Sequence, residues 1–397
     1  QILLRNRGKI NPRKASEYIA TSGYEALKRA LSMTGAEIIE ELRLAGLRGR
    51  GGAGFPTFRK IQFAYDAPGD VKYIVCNADE GEPGTNKDRI LLSCDPCAVF
   101  EGMAIVAKAV NAHVGFIYLR AEYAYLVPVL EQALESSREE HCLGNNIMGS
   151  GFDFDIKLRS GAGAYVCGEE TALFESIEGK RGEPRFRPPF PGISGLFGKP
   201  TVLNNVETLA NIAPIFRNGW EWYRTIGTDN SPGTKLFTVC GNVKRRGVFE
   251  FPMGINLKDL IYEVCGGMEE GRELLAVQTG GASGAIINAS QIDMTLDIDQ
   301  VSNSGGRLGC GTILVMDDRN CIIDIVRNNL EFFKDESCGK CTPCREGGTR
   351  LYQLICKIAE GRGSIRDIET IEDLAETMRL TALCGLGHST AVPVTSS

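Results

Sequence analysis

The sequence predicts an α/β domain, followed by a small α+β module of β-grasp type and a C-terminal helical bundle. Three observations predict this order. Helical and strand-like apolar stretches alternate up to residue 230, short strands surround a single helix over residues 231–320, and the apolar spacing is helical from residue 321 to residue 397. We therefore expect three domains with the boundaries 1–230, 231–320 and 321–397.

The first predicted domain alternates helices and strands. A capping box at Thr34 and Glu37, followed by an apolar stripe, predicts a helix that runs into the glycine-rich segment 46–54. The other predicted elements are a strand over 73–76, an acidic loop over 77–89, a strand over 115–119, a helix over 124–137 and a proline-rich loop over 185–200.

The second and third predicted domains differ in the spacing of their apolar residues. The second contains predicted strands over 235–240, 248–251, 274–279 and 312–316, with a helix over 257–264. In the third, apolar residues recur every three or four positions over 322–333, 351–358 and 368–378. This spacing predicts three amphipathic helices that form a small bundle.

Composition and charge exclude several classes of protein. The 397 residues are 43% hydrophobic and 24% charged, which is typical of a folded globular protein. The net charge of −6 argues against nucleic acid as a partner. No apolar run approaches the ~18 residues of a membrane helix, so we expect no membrane insertion. Only 3 His are present, which argues against a zinc hydrolase or a Ser-His-Asp enzyme.

Four cysteines form the strongest chemical signal. Cys338, Cys341 and Cys344 lie three positions apart, and Cys384 follows at a distance. A close triplet with one remote thiolate is typical of a [4Fe–4S] cube, whereas zinc sites usually pair two Cys-x-x-Cys knuckles. We therefore favour an iron–sulfur cluster, with a Cys₄ zinc site or inert core thiols as alternatives. Closely spaced metal-binding thiols indicate a reducing compartment, which predicts a cytoplasmic protein.

A glycine-rich loop precedes the first predicted strand. Gly49, Gly51, Gly52 and Gly54 remove Cβ atoms where a backbone can approach a flat or anionic ligand. The loop contains a formal Gly-x-Gly-x-x-Gly pattern, but a helix precedes it instead of the strand that a dinucleotide fingerprint requires. It is therefore either a ligand loop, with positive charge from Arg50, or a tight turn.

Three further segments supply acidic and amide side chains. Residues 77–85 place three carboxylates directly after a strand, where α/β sheets bind ligands. Residues 161–172 set glycines before paired acids, and residues 204–208 supply amides. Each alone is consistent with a solvated turn, but together they favour a nucleotide site. Phe55 and Phe63 are equally good as adenine-stacking residues and as core residues.

These segments occur in the order 49–57, 77–89, 161–173, 188–191 and 204–208, ahead of the cysteine cluster. Together they closely resemble the NADH-binding flavoprotein family, which comprises the 51 kDa subunit of respiratory complex I and its relatives in soluble NAD-dependent hydrogenases and formate dehydrogenases. The resemblance implies an FMN- and NADH-binding domain with a Rossmann-like sheet, a β-grasp domain, and a helical bundle that carries one [4Fe–4S] cluster.

The resemblance also implies roles for single residues. FMN would be held by Gly49, Arg50, Gly51, Gly52, Lys60, Asn77, Asp79, Gly168, Glu169, Asn204 and Asn205. NADH would be received by Glu80, Glu82, Tyr165 and Glu170, with Phe55 and Phe63 beside its adenine. Glu82 and Glu170 are the expected catalytic carboxylates. The family usually carries Lys where this chain has Arg187, which keeps the charge and changes the geometry.

The function that the resemblance implies is electron transfer from NADH through FMN to the cluster and on to partner subunits. The expected partners are a small thioredoxin-like [2Fe–2S] subunit and an iron–sulfur catalytic subunit. Residues 3–12 resemble the soluble hydrogenase and electron-bifurcating branch, with complex I and formate dehydrogenase as alternatives. Carboxylates in the site would repel a 2′-phosphate, so we expect NADH to be preferred over NADPH.

An alternative without enzymatic activity is a protein-interaction module in which zinc is bound by the four cysteines and the nucleotide site is empty. It predicts a colourless protein. The chain begins with Gln1 instead of Met and shows no signal segment. We therefore expect a trimmed form or a fragment, without terminal domains that some relatives carry.

Overall fold

The computed structural model describes residues 1–303 and 306–397. Its first part is built on a four-stranded parallel sheet in the order β3-β2-β1-β4. The strands are β1 (Tyr73–Ala78), β2 (Val114–Leu119), β3 (Asp155–Ser160) and β4 (Thr201–Asn205). Because all four strands run in one direction, their carboxyl ends share one edge of the sheet, where ligands bind in α/β folds.

Twelve helices accompany this sheet in the described part of the chain. They are α1 (Ala15–Ala20), α2 (Glu25–Leu31), α3 (Gly35–Ala45), α4 (Thr57–Asp66), α5 (Lys87–Cys94), α6 (Pro96–Val110), α7 (Val127–Glu139), α8 (Glu170–Ile177), α9 (Pro191–Ser194), α10 (Val206–Ala210), α11 (Ile212–Asn218) and α12 (Trp220–Arg224). Short 3₁₀ turns lie at Ala121–Leu126, Ile147–Gly149, Tyr165–Gly168 and Leu196–Gly198.

Helix α3 shows how local sequence sets an element. The Thr34 side chain accepts from the backbone N–H of Glu37 at 3.3 Å, and the Glu37 carboxylate accepts from the backbone N–H of Thr34 at 2.7 Å. This is the predicted capping box. The helix ends at Gly46, whose φ of 69° suits a residue without a Cβ. The glycine-rich loop therefore follows a helix, as predicted.

A second, mixed sheet has the order β6-β5-β9-β7-β8. Its strands are β5 (Thr234–Gly241), β6 (Gly247–Pro252), β7 (Leu274–Thr279), β8 (Ile286–Asn288) and β9 (Thr312–Asp317). Strands β5 and β9 are parallel and the other pairs are antiparallel. The short helix α13 (Leu257–Asp259) continues as a π-helical turn over Leu260–Val264, and a 3₁₀ turn at Ala289–Gln291 and helix α14 (Ile298–Asn303) follow.

The C-terminal part is helical, as predicted. Three long helices, α15 (Ile322–Asp335), α16 (Thr342–Ala359) and α17 (Ile365–Thr381), are followed by two short ones, α18 (Gly385–Thr390) and α19 (Val392–Ser396). The sequence did not predict the two short helices, because a helix of five or six residues shows too few turns for a periodic pattern.

One apolar cluster connects the first sheet with the C-terminal helices. It contains Val75 of β1, Val166 of the 3₁₀ turn before α8, Phe333 of α15 and Leu386 of α18, together with Cys344 and Cys384. Each of these residues is at most 8% exposed. The cysteine cluster is therefore packed directly onto the α/β part of the molecule.

Among the described helices, none is by itself long and apolar enough to cross a membrane. Helices α5 and α6 are long and apolar enough only when taken together, and they are bent by 96° relative to each other. In the structure, α6 is the central buried helix of the first part: nearly all of its residues are inaccessible to solvent.

Candidate functional site

A cavity lies at the carboxyl ends of β1 and β4, beside the glycine-rich loop. It contains about 1170 Å³ of space that no protein atom occupies, part of it open to solvent. Ten of the predicted binding residues line it: Gly51, Gly52, Asn77, Asp79, Glu80, Glu82, Tyr165, Gly168, Glu169 and Asn205. Segments separated by more than 150 residues thus meet at one sheet edge, and the acidic loop lies at the end of β1.

The glycine-rich loop forms a narrow turn that leaves room for a ligand. The Gly49 N–H donates to the Phe55 carbonyl at 2.8 Å and closes the turn. Gly52 has a φ of 132°, which disfavours any residue with a side chain. A Cβ on Gly51 would lie 2.9 Å from the Asn205 Cβ, so a larger residue would push this loop away from β4.

Two carboxylates of the acidic loop are already engaged. Glu80 accepts from the backbone N–H groups of Asp88 and Arg89, at 2.9 and 3.1 Å, and from the Tyr123 hydroxyl at 2.9 Å. Glu82 accepts from the Tyr165 hydroxyl at 2.7 Å and from the Ser283 N–H at 2.8 Å. Burial raises the pKa of Glu82, and burial together with Asp88 raises that of Glu80 to about 7.

Asp79 and Asn204 differ from these engaged carboxylates. One carboxylate oxygen of Asp79 and the side-chain amide nitrogen of Asn204 are buried without any hydrogen-bond partner. Burial raises the pKa of Asp79 to about 7. A buried polar atom without a partner costs about 1–3 kcal/mol. Asp79 lines the cavity, so a polar ligand atom at its free oxygen would stabilise the structure, whereas Asn204 does not line the cavity.

Several predicted binding residues do not line this cavity: Gly49, Arg50, Gly54, Phe55, Lys60, Phe63, Glu170 and Asn204. Arg50 was expected to supply positive charge to a ligand. Its side chain is instead 1% exposed and donates to the carbonyls of Pro232 and Thr234, at 2.6 and 3.2 Å. Arg50 therefore connects the glycine-rich loop to the start of β5.

Lys60 and Glu170 form an ion pair at the outer side of β4. The Lys60 Nζ lies 3.1 Å from the Glu170 carboxylate, which also pairs with Arg187 at 2.9 Å. The rings of Phe55 and Phe63 are 39% and 50% exposed. These aromatic rings are therefore available to a flat ligand, and neither is a core residue.

Sequence reasoning missed the cavity-lining residues that come from the second and third parts of the chain. These are Gly280, Ser283, Arg307, Gly309 and Cys310, together with Gly385, Leu386 and Ser389 of α18. The missed residues of the first part are Ala53, Gly81, Thr85, Lys87, Asp88 and Val166. The last group lies next to predicted motifs, as do Gly385 and Leu386, which follow Cys384. For Gly280, Ser283, Arg307, Gly309 and Cys310 the sequence contains no local signal.

Lys87 is the buried cation of the cavity wall. Its Nζ lies 2.7 Å from Asp88, 3.1 Å from Glu207 and 3.0 Å from the Asn205 side-chain oxygen. Burial alone would lower the pKa of Lys87, but the three carboxylates Asp88, Glu207 and Glu80 raise it above its ordinary value. Lys87 is therefore charged and neutralised by the protein itself, so it is not a free site for a ligand anion.

The four predicted metal-binding cysteines surround a second cavity. Cys338, Cys341, Cys344 and Cys384 all line a space of about 270 Å³, part of it open to solvent. Cys341 and Cys384 immediately precede α16 and α18, and Cys344 lies in the first turn of α16. Burial raises the pKa of the Cys344 thiol, and that of Cys384 to about 11. A metal would therefore have to offset this cost in order to bind the thiolate forms.

These two cavities fit the groups that the motifs predict. In the first cavity, the unpartnered oxygen of Asp79 and the glycines at 51 and 52 suit a flat, polar ligand such as a flavin. Across residues 1–303 and 306–397, no three His, Cys, Asp or Glu side chains converge closely enough to hold a single metal ion. The four thiols instead surround a shared space, an arrangement that suits a cube with one iron at each corner.

Family models match three consecutive regions of the chain. The Nuo51 FMN-binding domain matches residues 42–214, the SLBB domain matches 236–286, and the NADH-ubiquinone oxidoreductase-F iron–sulfur binding region matches 324–397. The NADP-reducing hydrogenase subunit HndC of Solidesulfovibrio fructosivorans is 47% identical over 100% of this chain and 81% of its own length. An NADH-quinone oxidoreductase subunit of Rhizobium meliloti is 45% identical over 98% of this chain and 93% of its own length.

Solved structures with the same fold are chains of a NAD⁺-reducing [NiFe]-hydrogenase. The H₂-reduced form superposes with a TM-score of 0.84 at 41% identity, covering 92% of this chain and 61% of that one. The air-oxidised form gives 0.85 at 39% identity, covering 99% and 64%. This chain therefore spans about three fifths of the length of those hydrogenase chains.

Proposed function

This chain belongs to the NADH-binding flavoprotein family, and on that premise we propose that it moves electrons between NADH and a partner protein through FMN and a [4Fe–4S] cluster. One observation carries this proposal: a cavity with a glycine-rich loop and an unpartnered carboxylate oxygen of Asp79 lies directly beside a cavity lined by four thiols. A flavin supplies the required conversion, because it exchanges two electrons with a nicotinamide and single electrons with an iron–sulfur centre.

The residues divide into two groups in this proposal. FMN is held by the glycine-rich loop and by Asn77 and Asp79, which line the cavity, and by Asn204, which follows them on β4 outside the lining. The buried oxygen of Asp79 that has no partner is available to a polar group of the flavin. Glu82, with Tyr165 behind it, faces NADH, and Glu170 contacts the dinucleotide from the Lys60 side. The carboxylates of the cavity accept from hydroxyl and amide groups and repel a 2′-phosphate, so NADH is preferred over NADPH.

The partners follow from the electron count. NADH releases two electrons and the cluster accepts one at a time, so an acceptor outside this chain takes them up. We assign this acceptor to a soluble NAD-dependent or electron-bifurcating hydrogenase, with complex I and formate dehydrogenase as alternatives. A small thioredoxin-like [2Fe–2S] subunit and an iron–sulfur catalytic subunit complete the proposed assembly. The relatives named above are a subunit of an NADP-reducing hydrogenase and a subunit of an NADH-quinone oxidoreductase, which supports an assignment to a hydrogenase or to complex I.

The proposal includes a domain division and a compartment. The domains are 1–230, which binds FMN and NADH, 231–320, the β-grasp domain, and 321–397, which carries the cluster; the three regions matched by family models fall within these limits. We place the protein in the cytoplasm. All 14 cysteines are free of disulfides, which supports a reducing compartment.

Anaerobic purification with cofactor analysis tests the proposal. We expect protein that releases FMN on acid treatment, contains iron and acid-labile sulfide, and oxidises NADH with ferricyanide as acceptor. A colourless protein that contains zinc would instead support the interaction module. Protein that retains neither flavin nor sulfide after anaerobic reconstitution would refute the proposal.

A further inference from the structure

Two residues line both cavities. Val166 and Leu386 belong to the wall of the nucleotide cavity and also to the wall of the cysteine cavity. They are 6% and 7% exposed. A residue that lines two cavities lies between them, so the two sites are one residue apart at this point.

The two elements that supply these side chains each contact both sites. In the 3₁₀ turn that contains Val166, Tyr165 and Gly168 face the nucleotide cavity. Helix α18 begins directly after Cys384, and its residues Gly385 and Ser389 also line the nucleotide cavity. The position of each element therefore sets both walls at once.

Helix α18 is packed closely against the cysteine site. A Cβ on Gly387 would lie 2.6 Å from the Ala382 Cβ and 3.2 Å from the Cys344 Cβ. Only glycine allows the helix to approach this closely. The His388 ring, on the same helix, bonds to the Ala382 carbonyl at 2.6 Å. These contacts hold α18, and with it Leu386, at a defined distance from the thiols.

The wall between the cavities is apolar. Val166 and Leu386 belong to one buried cluster with Phe333, Cys344 and Cys384, and the neighbouring Tyr165 ring packs edge-on against Phe332. Such a shell excludes water from a metal centre and thereby sets its reduction potential. Because water is excluded, the surroundings also rearrange less when an electron moves between the two sites.

We propose that Val166 and Leu386 form a dry partition that positions the flavin and the cluster for single-electron transfer, with Leu386 as the main positioning residue. This inference rests on the proposed function. With both groups bound, oxidation of one NADH would yield NAD⁺, one proton and two electrons. The electrons would pass the partition one at a time on their way to the protein acceptor, and the proton would go to solvent. Neither Val166 nor Leu386 exchanges protons or bonds to substrate.

The test uses the anaerobically purified holoprotein and the variants Leu386→Ser and Val166→Ala. Leu386→Met restores an apolar side chain of similar volume, and Leu380→Ala removes a side chain that is 65% exposed and lies outside both walls. Rapid mixing with NADH measures flavin bleaching, rapid freezing with electron paramagnetic resonance measures cluster reduction, and a redox titration gives the cluster potential.

We expect Leu386→Ser to slow cluster reduction several-fold relative to flavin bleaching. Its cluster potential should rise, because water stabilises the reduced cluster, which carries one more negative charge. Leu386→Met and Leu380→Ala should behave like the unaltered protein. Val166→Ala should slow cluster reduction without loss of iron. If Leu386→Ser loses the cluster, the rate of cluster reduction in Val166→Ala tests the partition instead.

One outcome would contradict the partition and another would contradict the proposed function, and the two can be told apart. Unaltered rates and potentials in Leu386→Ser and Val166→Ala, with full flavin and iron content, would overturn the partition and leave the proposed function standing. Unaltered protein without flavin or iron would instead defeat the proposed function itself.

Discussion

Glu207 joins the first sheet to the second, and its replacement by Gln is the most informative change. Its carboxylate is fully buried in α10. One oxygen lies 3.0 Å from the Lys235 Nζ and 3.1 Å from the Lys87 Nζ, and the other accepts from the backbone N–H of Leu236 at 2.8 Å. Burial would raise the pKa of Glu207, but the two lysines lower it overall, so the carboxylate is ionised.

The magnitude follows from the burial of all three groups. Gln has nearly the shape of Glu and keeps an oxygen for the Leu236 N–H, but it removes the negative charge between Lys87 and Lys235, which are each 1% exposed. Removing one partner of a buried ion pair costs about 3–5 kcal/mol, because the remaining charge is left uncompensated. We expect Glu207→Gln to lower the free energy of unfolding by that amount. The double variant with Lys235→Met should recover part of the loss.

Urea unfolding measures this effect. The fluorescence of Trp220 and Trp222 in α12 reports on the first part of the chain, and circular dichroism reports on the whole. Glu40→Gln is the matched control, because Glu40 pairs only with exposed Arg43 on the surface of α3. A loss below about 1 kcal/mol in Glu207→Gln would show that the buried lysines do not depend on this carboxylate, contrary to the distances.

Three further changes test the two sites. Cys341→Ser should abolish iron and sulfide binding, since a cube needs four thiolates, and iron analysis would contradict this if the full content remained. Glu82→Gln should raise the KM for NADH in the ferricyanide assay, because a neutral amide accepts more weakly from the dinucleotide; an unchanged KM would remove Glu82 from the NADH site. Burial raises the pKa of Asp79 to about 7. Protonated Asp79 therefore contributes fully to the free energy of unfolding of the flavin-free protein below its ordinary pKa of about 4, and this contribution is lost as the pH rises through 7. Between pH 4 and pH 7 this loss lowers the free energy of unfolding by at most about 4 kcal/mol, and Asp79→Asn should remove it. Urea unfolding of both proteins across this pH range measures the difference. Parallel curves for the two proteins would argue against this pKa.

The sequence alone determined those features that depend on neighbours within a few positions. The capping box at Thr34, the three long C-terminal helices and the triplet of cysteines are local patterns, and the geometry of one helical turn or one loop is enough to specify them. The predicted strand over 73–76 placed the acidic loop at a strand end, and parallel strands present their carboxyl ends at one sheet edge.

Only the tertiary structure decided what the buried charges contact and what separates the two cavities. Arg50 bonds to carbonyls more than 180 residues away, and Glu207 reaches Lys235 across the junction of the two sheets. Leu386 lines both cavities because α18 packs against a turn more than 200 residues earlier in the chain. Such contacts join segments that are distant in sequence, and their free energy comes from desolvation and packing at the meeting point. No local pattern of residue types records them.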